Sequence, residues 1–524
     1  MRAPDLTKTI LLIAVFWLAA TMVTRAQTFQ ELANFYGSNG STPMGALVQG
    51  PDGNFYGTTL YGGANTVCLP RTATGQPAGC GTIFQATTDR VITTIYNFCS
   101  QSDCADGDYP WAGLTLGSDG NFYGTTSYGG GGDGIGTVFQ LTLGQGLATI
   151  ANISNDNTVS PGLVLGSDGN IYGASNYGGA FQLTSAGALT TIFSFPQGSV
   201  PTGSLAQGTD GNFYGTTSSS VFQLSPEPPG GCPAGSNPGN GWCETVLHNF
   251  CSSPNCADGY NAEGGVVEGP GGNFYGTTSA GGASQSCNKD LHQEGCGTVF
   301  QITPSGALTT LYNFCSLPKC ADGAAPNAGL ALGSDGNFYG TTTLGGTGIH
   351  ARCDKLRCGT LFQLTPSGSL TTLHSFCSWF NCLDGEAPYA ALIEVSGTFY
   401  GTTSSSQSGA GVIFTWSADV DLAPKFSPAS LTFPTEVVGH SSGAKKVSIT
   451  NESSGTLDFT SLTVTGPFAI SASSCGATLN PGKTCKVSIV FTPTEGGTAT
   501  GTLSVADNAP NSPQTASLTG TGKP

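Results

Sequence analysis

One short phrase is written into this chain seven times. Versions of GNFYGTT begin at Gly53, Gly120, Gly169, Gly211, Gly272, Gly336 and Gly397, where the third copy reads GNIYGAS and the seventh reads GTFYGTT. Successive copies are 42 to 67 residues apart. Such periods are typical of propellers and solenoids, in which each repeat is one supersecondary unit. The chain is therefore limited to a structure built from near-identical units placed side by side.

Each full repeat divides into four strand-like segments, which we name a, b, c and d. In the copy that begins at Ala328 they read AGLALG, NFYGTTT, GTLFQLT and SLTTLHSF. Only 9% of the residues are charged and 79 of 524 are glycine, which leaves little material for helical surfaces and favours short strands joined by tight turns. The sequence predicts an all-β protein.

The aspartates of the repeated phrase have two interpretations. Asp335 and Gly336 form a tight turn between strands a and b, because Asp-Gly accepts the positive φ of hairpin turns. The alternative is a calcium loop. The fifth copy has Gly271 in place of the aspartate and the seventh has Ser396, so the position accepts loss of the carboxylate, which favours the turn.

The phase of the repeat predicts how the structure closes. After residue 26 the chain opens with TFQELANFYG, which matches strand d, and the last repeat ends on GVIFTWS, which matches strand c. We therefore expect residues 28–36 to form the outermost strand of the last blade, beside Gly411–Ser417, which removes an open sheet edge. The prediction is a seven-bladed β-propeller over residues 27–418. Alternating segments over 421–524 predict an immunoglobulin-like β-sandwich after it.

The first 26 residues have the pattern of a signal peptide. Arg2 and Lys8 precede an apolar run over Ile10–Val23, and Thr24 and Ala26 fit a small-residue cleavage site. An uncleaved anchor is the alternative. No later segment is apolar enough to span a membrane, so we expect an exported protein that is extracellular or on the cell surface, with the periplasm as an alternative. The net charge of −16 disfavours a nucleic-acid partner, since phosphates are repelled.

The 18 cysteines fall as sequence neighbours, which in an exported chain predicts nine local disulfides. The expected pairs are Cys68–Cys80, Cys99–Cys104, Cys232–Cys243, Cys251–Cys256, Cys287–Cys296, Cys315–Cys320, Cys353–Cys358, Cys377–Cys382 and Cys475–Cys485. Zinc binding is the alternative, but the C-x4-C spacing dominates and no histidine follows at a fixed offset. We expect no metal site and no cofactor.

The motifs GSDGNFYGTT, GTVFQLTPSG and LTTLYNF resemble those of secreted bacterial GloVer-type tandem-repeat proteins, also called choice-of-anchor repeat proteins, over about residues 28–416. The repeat is also similar to that of virginiamycin B lyases, which implies seven blades by analogy. Their metal-assisted chemistry is not expected here, because the five histidines are scattered, at His248, His292, His350, His374 and His440. The segment after residue 421 resembles a Hydin-type, or ASH-like, domain. The family name implies a sorting element there, and the chain ends LTGTGKP without a hydrophobic tail.

The two ends of the predicted blades differ in how much they vary. The b–c and d–a loops emerge on one side, here named the loop face, and the a–b and c–d turns on the other, named the turn face. The turn face repeats SDGN and TPSG, apart from the insert between Cys232 and Cys243, whereas seven of the eight expected propeller disulfides fall on the loop face. Because scaffolds carry function on variable loops, we expect any binding site on the loop face.

Most of the few basic residues of the predicted propeller also fall on the loop face. The candidate binding residues are Lys289, Lys319, Arg352, Lys355, Arg357, Trp379 and Phe380. Together they suit an anionic glycan or a protein partner, because Arg forks bind acids and exposed aromatic rings offer a platform. The alternative is that these charges only keep long loops soluble and pair with the nearby acids Asp322, Asp384 and Glu386.

The sequence holds no recognisable catalytic motif. There is no G-x-S-x-G elbow, and the GGGGDG stretch at 129–134 is followed by a strand, whereas a dinucleotide-binding loop must open a helix. We therefore name no catalytic residue. A secreted scaffold for extracellular binding or adhesion is the expected function, with a propeller-type polysaccharide or lactone lyase as the enzymatic alternative. The oligomeric state stays open.

Overall fold

A computed structural model describes residues 28–68, 79–131, 136–153, 162–175, 179–196, 199–284, 287, 295–348, 358–406, 409–417, 424–451, 457–480, 482–507 and 512–524. The expected signal peptide at 1–26 lies outside these residues. The described chain consists of strands joined by turns, loops and short 3-10 turns, which agrees with the predicted all-β class. Within it, no helix is long and apolar enough to cross a membrane.

The described residues between 28 and 417 form seven antiparallel sheets, each built from consecutive strands of one repeat. In chain order the first six sheets contain β2 (Val48–Gln49), β3 (Phe55–Thr59), β4 (Thr82–Ala86) and β5 (Ile92–Asn97); β6 (Thr115–Leu116), β7 (Phe122–Thr125), β8 (Thr137–Thr142) and β9 (Gly146–Asn152); β10 (Val164–Leu165), β11 (Ile171–Ser175), β12 (Gly179–Leu183) and β13 (Leu189–Phe193); β14 (Ala206–Gln207), β15 (Phe213–Thr216), β16 (Ser220–Pro226), β17 (Asn237–Gly239) and β18 (Trp242–Asn249); β19 (Val266–Glu268), β20 (Phe274–Thr278), β21 (Thr298–Ile302) and β22 (Leu308–Asn313); β23 (Ala331–Leu332), β24 (Phe338–Thr342), β25 (Thr360–Leu364) and β26 (Leu370–Ser375).

The last sheet joins both ends of the repeat region. It contains β1 (Thr28–Asn34), β27 (Ile393–Val395), β28 (Thr398–Thr403) and β29 (Val412–Ser417) in the order β1-β29-β28-β27. Strand β1 runs antiparallel to β29 from Thr28 opposite Ser417 to Asn34 opposite Val412. The Phe29 ring stacks on Phe414 with centroids 5.2 Å apart. The predicted pairing of the N-terminal strand with the last repeat is confirmed.

Aromatic side chains of the repeated phrase hold neighbouring sheets together. The tyrosine of one b strand packs on a phenylalanine of the next, as Tyr214 does on Phe274 at 3.8 Å and Tyr339 on Phe399 at 3.9 Å between ring centroids. All five residues of β24 are buried. The b strands are buried on both sides because each lies between two sheets, and burying these rings supplies much of the stabilisation.

The phrase also builds its own turn. Gly333 and Gly336 form the hairpin between β23 and β24, and Gly336 alone takes a left-handed φ of 78°, so the expectation that Asp335 also has positive φ is wrong. The carboxylate of Asp335 instead accepts hydrogen bonds from the Asn337 side chain at 2.8 Å and the Tyr339 hydroxyl at 2.8 Å. A type I turn followed by a left-handed glycine needs only the glycine to bend. The carboxylate is thus used within the fold, which favours the turn over a calcium loop.

The C-terminal region forms two sheets of its own. The first contains β30 (Lys425–Ser427), β32 (Lys445–Thr450), β34 (Phe468–Ser473) and β36 (Thr484–Phe491), and the second contains β31 (Ser430–Val437), β33 (Leu457–Val464), β35 (Thr478–Leu479), β37 (Gly497–Asp507) and β38 (Gln514–Lys523). Their buried side chains form one apolar core that includes Phe433, Val487 and Leu503. Two sheets around one core form the predicted sandwich.

Candidate functional site

Isolated strand bridges establish which loops share a face. In six of the seven repeats, described residues of the d–a loop pair with the b–c loop of the following repeat, as in Asp108 with Tyr128, Ala324 with Leu344 and Glu386 with Ser405. The d–a and b–c loops therefore emerge on the same side of the sheets. This pairing also ties neighbouring repeats to one another at the loop face.

Eight of the expected disulfides are present between described cysteines: Cys68–Cys80, Cys99–Cys104, Cys232–Cys243, Cys251–Cys256, Cys287–Cys296, Cys315–Cys320, Cys377–Cys382 and Cys475–Cys485. They confirm the neighbour pairing. In the remaining expected pair, Cys353 lies outside the described residues. A disulfide-rich chain of this kind belongs in an oxidising compartment, so the pairs indicate export.

Of the five C-x4-C loops, the four that the structure describes in full each close around one buried aspartate. The Asp322 carboxylate is fully buried and accepts hydrogen bonds from the Tyr312 hydroxyl at 2.8 Å, the Ser316 amide at 2.9 Å and the Leu317 amide at 3.1 Å. Asp106, Asp258 and Asp384 take the same place in the other three such loops. Satisfied buried carboxylates of this kind stabilise a loop.

Two histidines replace tyrosine in this arrangement. His248 lies 3.0 Å from Asp258 and His374 lies 2.9 Å from Asp384, measured from Nε2 to a carboxylate oxygen. Burial raises the pKa of Asp258, but hydrogen bonds from Ser252, Ser253 and His248 outweigh it and leave that pKa below its ordinary value. Both histidines thus hold a loop in the place that Tyr96 and Tyr312 take in the other two loops.

The structure describes three of the seven predicted binding residues. Phe380 is 79% exposed, Trp379 is 39% exposed, and Lys319 is exposed at a left-handed turn position with φ 58°. The other four, Lys289, Arg352, Lys355 and Arg357, lie outside the described residues. The basic patch therefore stays a prediction. The nearby Asp322 and Asp384 are fully buried, so they do not take part in a surface site.

A cavity of about 420 Å³ lies where the d–a loops reach the a strands, and every repeat contributes to its lining. Six of the lining residues occupy one position of the repeat, three residues before the buried Leu or Val at the start of the a segment. We name it the ring position. Its occupants are Met44, Trp111, Ser160, Thr202, Glu263, Asn327 and Tyr389, of which Ser160 lies outside the described residues.

Hydrogen bonds between repeats hold this ring closed. The Thr58 hydroxyl donates to the Ala112 carbonyl at 2.8 Å, and Thr277 donates to Ala328 at the same distance. Close backbone approach explains the small residues that follow the ring position, because a Cβ on Gly113 would lie 2.3 Å from the Ala46 carbonyl oxygen. The backbone beside the cavity is therefore rigid. The ring side chains decide the chemistry of the cavity.

The cavity has two chemically different halves. Tyr389, Met44 and Trp111 come from three consecutive repeats around the ring and form an apolar, aromatic half. Thr202, Glu263 and Asn327 come from three other consecutive repeats and form a polar half. No Lys or Arg is among the described residues that line it.

Glu263 is the acidic group of the cavity lining. Its Oε1 accepts a hydrogen bond of 2.7 Å from the Asn261 side chain. Although the side chain faces the cavity, the surrounding protein removes much of its water, and this burial raises the pKa of Glu263 despite the hydrogen bond. Burial, and then the charge of Glu263, also raise the pKa of Tyr389. The two groups therefore interact electrostatically within the cavity lining, and both keep contact with solvent.

The ring position was missed at the level of sequence. A signal existed, because aligning the repeats on their buried Leu or Val leaves seven different residue types at one position: Met, Trp, Ser, Thr, Glu, Asn and Tyr. The strands of the repeat are written almost identically, so a position beside them that differs in every repeat is one at which the chemistry varies on a constant frame.

Family comparison agrees with the repeat pattern. A model of the Gloeobacter/Verrucomicrobia repeat matches residues 69–288 and 237–457, which together span most of the chain. The protein belongs to this repeat family. A model of the ASH domain, described as abnormal spindle-like microcephaly-associated, ASPM-SPD-2-Hydin, matches residues 419–515. No curated protein matches the sequence.

Several solved structures are similar to this chain at low identity. A catalytically inactive virginiamycin B lyase from Staphylococcus aureus, crystallised with quinupristin, has 13% identity and a TM-score of 0.47, with 75% of this chain and 99% of that one covered. The extracellular domain of a hybrid two-component system from B. thetaiotaomicron has 10% identity and a TM-score of 0.44, with 95% and 58% covered. An ASH/PapD-like domain of human CEP192 has 17% identity and a TM-score of 0.17, with 20% and 86% covered.

Proposed function

We propose that this protein is an extracellular binding scaffold that receives a glycan or protein partner on its loop face. The observation that carries the proposal is the contrast between the two faces. The turn face repeats one self-satisfied hairpin, whereas the loop face combines disulfide-closed loops, the exposed rings of Trp379 and Phe380, and a cavity lined by every repeat.

The rigidity of the loop face supports binding. The four C-x4-C loops that the structure describes are each closed by a disulfide and organised by a buried aspartate, so little conformational entropy remains to be lost when a partner binds. Exposed aromatic rings on a rigid frame supply contact area at low entropic cost. The predicted basic residues on the same face would add attraction for an acidic partner.

A glycan array tests the proposal with a matched pair of variants. The array carries neutral, amino-containing and uronic-acid oligosaccharides. The loop-face variant is Trp379→Ala with Phe380→Ala, and the control is Leu143→Ala, an exposed apolar residue (37% exposed) on the turn face. We expect the loop-face variant to lose at least about fivefold in binding, as aromatic anchors do, and the control to bind like the wild type. Melting curves of both variants, compared with the wild type, check that they stay folded.

The same assay tests the predicted basic residues. If an acidic partner binds at them, replacing Arg352, Lys355 and Arg357 together weakens that binding, and so does added salt, since exposed charges are screened beyond about 8 Å at 0.15 M. Loss of binding in Leu143→Ala but not in the loop-face variant would place the partner on the turn face and contradict the proposal. Binding that no variant changes would contradict it as well.

A further inference from the structure

The ring position joins aromatic, apolar and polar side chains that are up to 345 residues apart in sequence, from Met44 to Tyr389. Some of these side chains already make hydrogen bonds within the fold: the Thr202 hydroxyl donates to the Ala262 carbonyl at 2.6 Å, and the Asn327 amide donates to Thr343 at 3.1 Å. The residues of the lining nevertheless converge on one cavity of about 420 Å³, which has the dimensions of a small-ligand site.

We propose that the central cavity binds a neutral sugar residue. This inference rests on the proposed binding function and names its ligand class. A pyranose has an apolar C–H face and a polar rim of hydroxyl groups, and the cavity presents the complement of both. The sugar's apolar face packs on Trp111 and Tyr389, and its hydroxyl groups bind the polar half.

The hydrogen-bonding capacity of the polar half fits hydroxyl groups. The amide nitrogen of Asn327 donates to Thr343 Oγ1 at 3.1 Å, which turns that amide so that its carbonyl oxygen remains as an acceptor. Glu263 receives its Asn261 hydrogen bond at Oε1, so Oε2 is the oxygen that accepts from a ligand. Two acceptors on one side of the cavity match adjacent hydroxyl groups of a sugar.

The charge of the cavity excludes acidic ligands. Glu263 is the acidic residue of the described lining, which includes no Lys or Arg. A uronate or phosphate placed beside the ionised Glu263 would meet a like charge with no cation in the lining to offset it. The central cavity and the predicted basic patch therefore select different ligands on the same face.

Three tyrosines form an aromatic cluster on the loop face, close to Trp111 in sequence. Tyr109 lies two residues before Trp111 in the same loop, and its ring contacts Tyr61 at 5.5 Å and Tyr128 at 5.8 Å between centroids. All three tyrosines are partly exposed. Successive rings of this kind provide stacking surfaces for the further units of an oligosaccharide, so the cavity holds one sugar of a longer chain.

Calorimetry of the full exported chain with the neutral and uronic-acid oligosaccharides of the array tests this inference. We expect neutral oligosaccharides to bind with an affinity that changes less than about twofold between 0.05 and 0.5 M NaCl. Trp111→Ala weakens that binding at least about tenfold, as loss of a stacked aromatic ring does, and Trp111→Phe retains most of it. Leu143→Ala, on the turn face and outside the cavity lining, is the control and changes it less than about twofold.

Glu263→Gln tests the charge separately from the shape. This variant weakens the binding of neutral oligosaccharides about fivefold, because a charged acceptor forms the stronger hydrogen bond. It also reduces the ratio of the affinity for neutral oligosaccharides to the affinity for uronic-acid oligosaccharides. A variant that merely lost structure would weaken both classes equally.

The outcomes distinguish this inference from the proposed function. Two results overturn the neutral-sugar site: the wild type binds only uronic-acid or amino-containing oligosaccharides, or Trp111→Ala leaves the binding of neutral oligosaccharides intact. In either case the loop-face proposal stands if Trp379→Ala with Phe380→Ala abolishes the oligosaccharide binding that the wild type shows. Absence of binding to every oligosaccharide at about 1 mM, the weak limit of specific recognition, also overturns this inference. The proposed function is then judged by protein partners alone.

Discussion

The two faces of the propeller use the same chemical group in opposite ways. On the turn face, Asp52 is exposed and accepts hydrogen bonds from Asn54, Tyr56 and Gln85. On the loop face, Asp322 is fully buried inside a disulfide-closed loop. Both carboxylates have structural roles. Asp52 accepts hydrogen bonds within a surface turn, and Asp322 accepts hydrogen bonds at the centre of a loop. Because both carboxylates serve the fold, a binding site is better sought among the side chains that line the central cavity.

The largest expected difference between the faces is in stability. Asp322→Ala leaves the Ser316 and Leu317 amides and the Tyr312 hydroxyl without their acceptor in a buried loop, so we expect a loss of about 3 kcal/mol in the free energy of unfolding. Urea unfolding followed by tryptophan fluorescence measures it in the propeller, because Trp111, Trp242, Trp379 and Trp416 all precede residue 418. Asp322→Asn, which keeps one acceptor oxygen, loses less. A midpoint equal to that of the wild type would contradict the role of the buried carboxylate.

A smaller loss is expected on the turn face. Asp52→Ala removes hydrogen bonds that water can replace, so the free energy of unfolding decreases by about 1 kcal/mol. The fifth sheet supports a modest effect, since its hairpin forms with Gly271 in place of the acid. The matched control is Asp89→Ala, an exposed acid in a c–d turn on the same face, which should change stability by less than about 0.5 kcal/mol. If Asp52→Ala were as costly as Asp322→Ala, the contrast between the faces would be lost.

The smallest effect at neutral pH concerns the tyrosine beside the turn-face aspartate. Burial, followed by the hydrogen bond to Asp52, raises the pKa of Tyr56 to about 12, although Gln85 opposes this. Because the folded-state pKa exceeds the unfolded value of about 10, the phenol contributes stability that is fully present below pH 10 and is lost as the pH rises towards 12. Unfolding midpoints measured between about pH 8 and pH 11.5 should decrease only above pH 10.

Tyr56→Phe is the variant that isolates this group. It removes one titrating phenol, so the alkaline decrease becomes shallower than in the wild type, and the two curves converge at high pH. Parallel curves for the two proteins would show that Tyr56 does not titrate with the raised pKa. On the loop face, His248 and His374 replace the corresponding tyrosines in two of the four C-x4-C loops, so fewer phenols there contribute to the alkaline loss.

Local features of this protein could be predicted from its sequence. The strand order within each repeat, the position of the turn between β23 and β24, and the pairing of Cys315 with Cys320 all depend on residues close together in the chain. The pairing of β1 with β29 is the one long-range prediction that holds, and it was available because the repeat itself reveals which strand is missing at each end. In a regular repeat, a contact between distant strands can be predicted from the strand with which the repeat region begins and the strand with which it ends.

The tertiary structure alone decided the candidate site. Met44, Trp111, Glu263 and Tyr389 have no common motif, and they meet only because closing the ring brings this position of six described repeats to the same cavity. The burial of Asp322 and Asp384, which sequence reasoning placed beside a surface patch, likewise depends on how the loops fold back over them. Sequence determines what each repeat can build, since hydrogen bonds and turns act locally. The cavity that the repeats enclose is decided by their arrangement in space. Its walls are made of residues that are far apart in sequence and come together only when the ring of repeats forms.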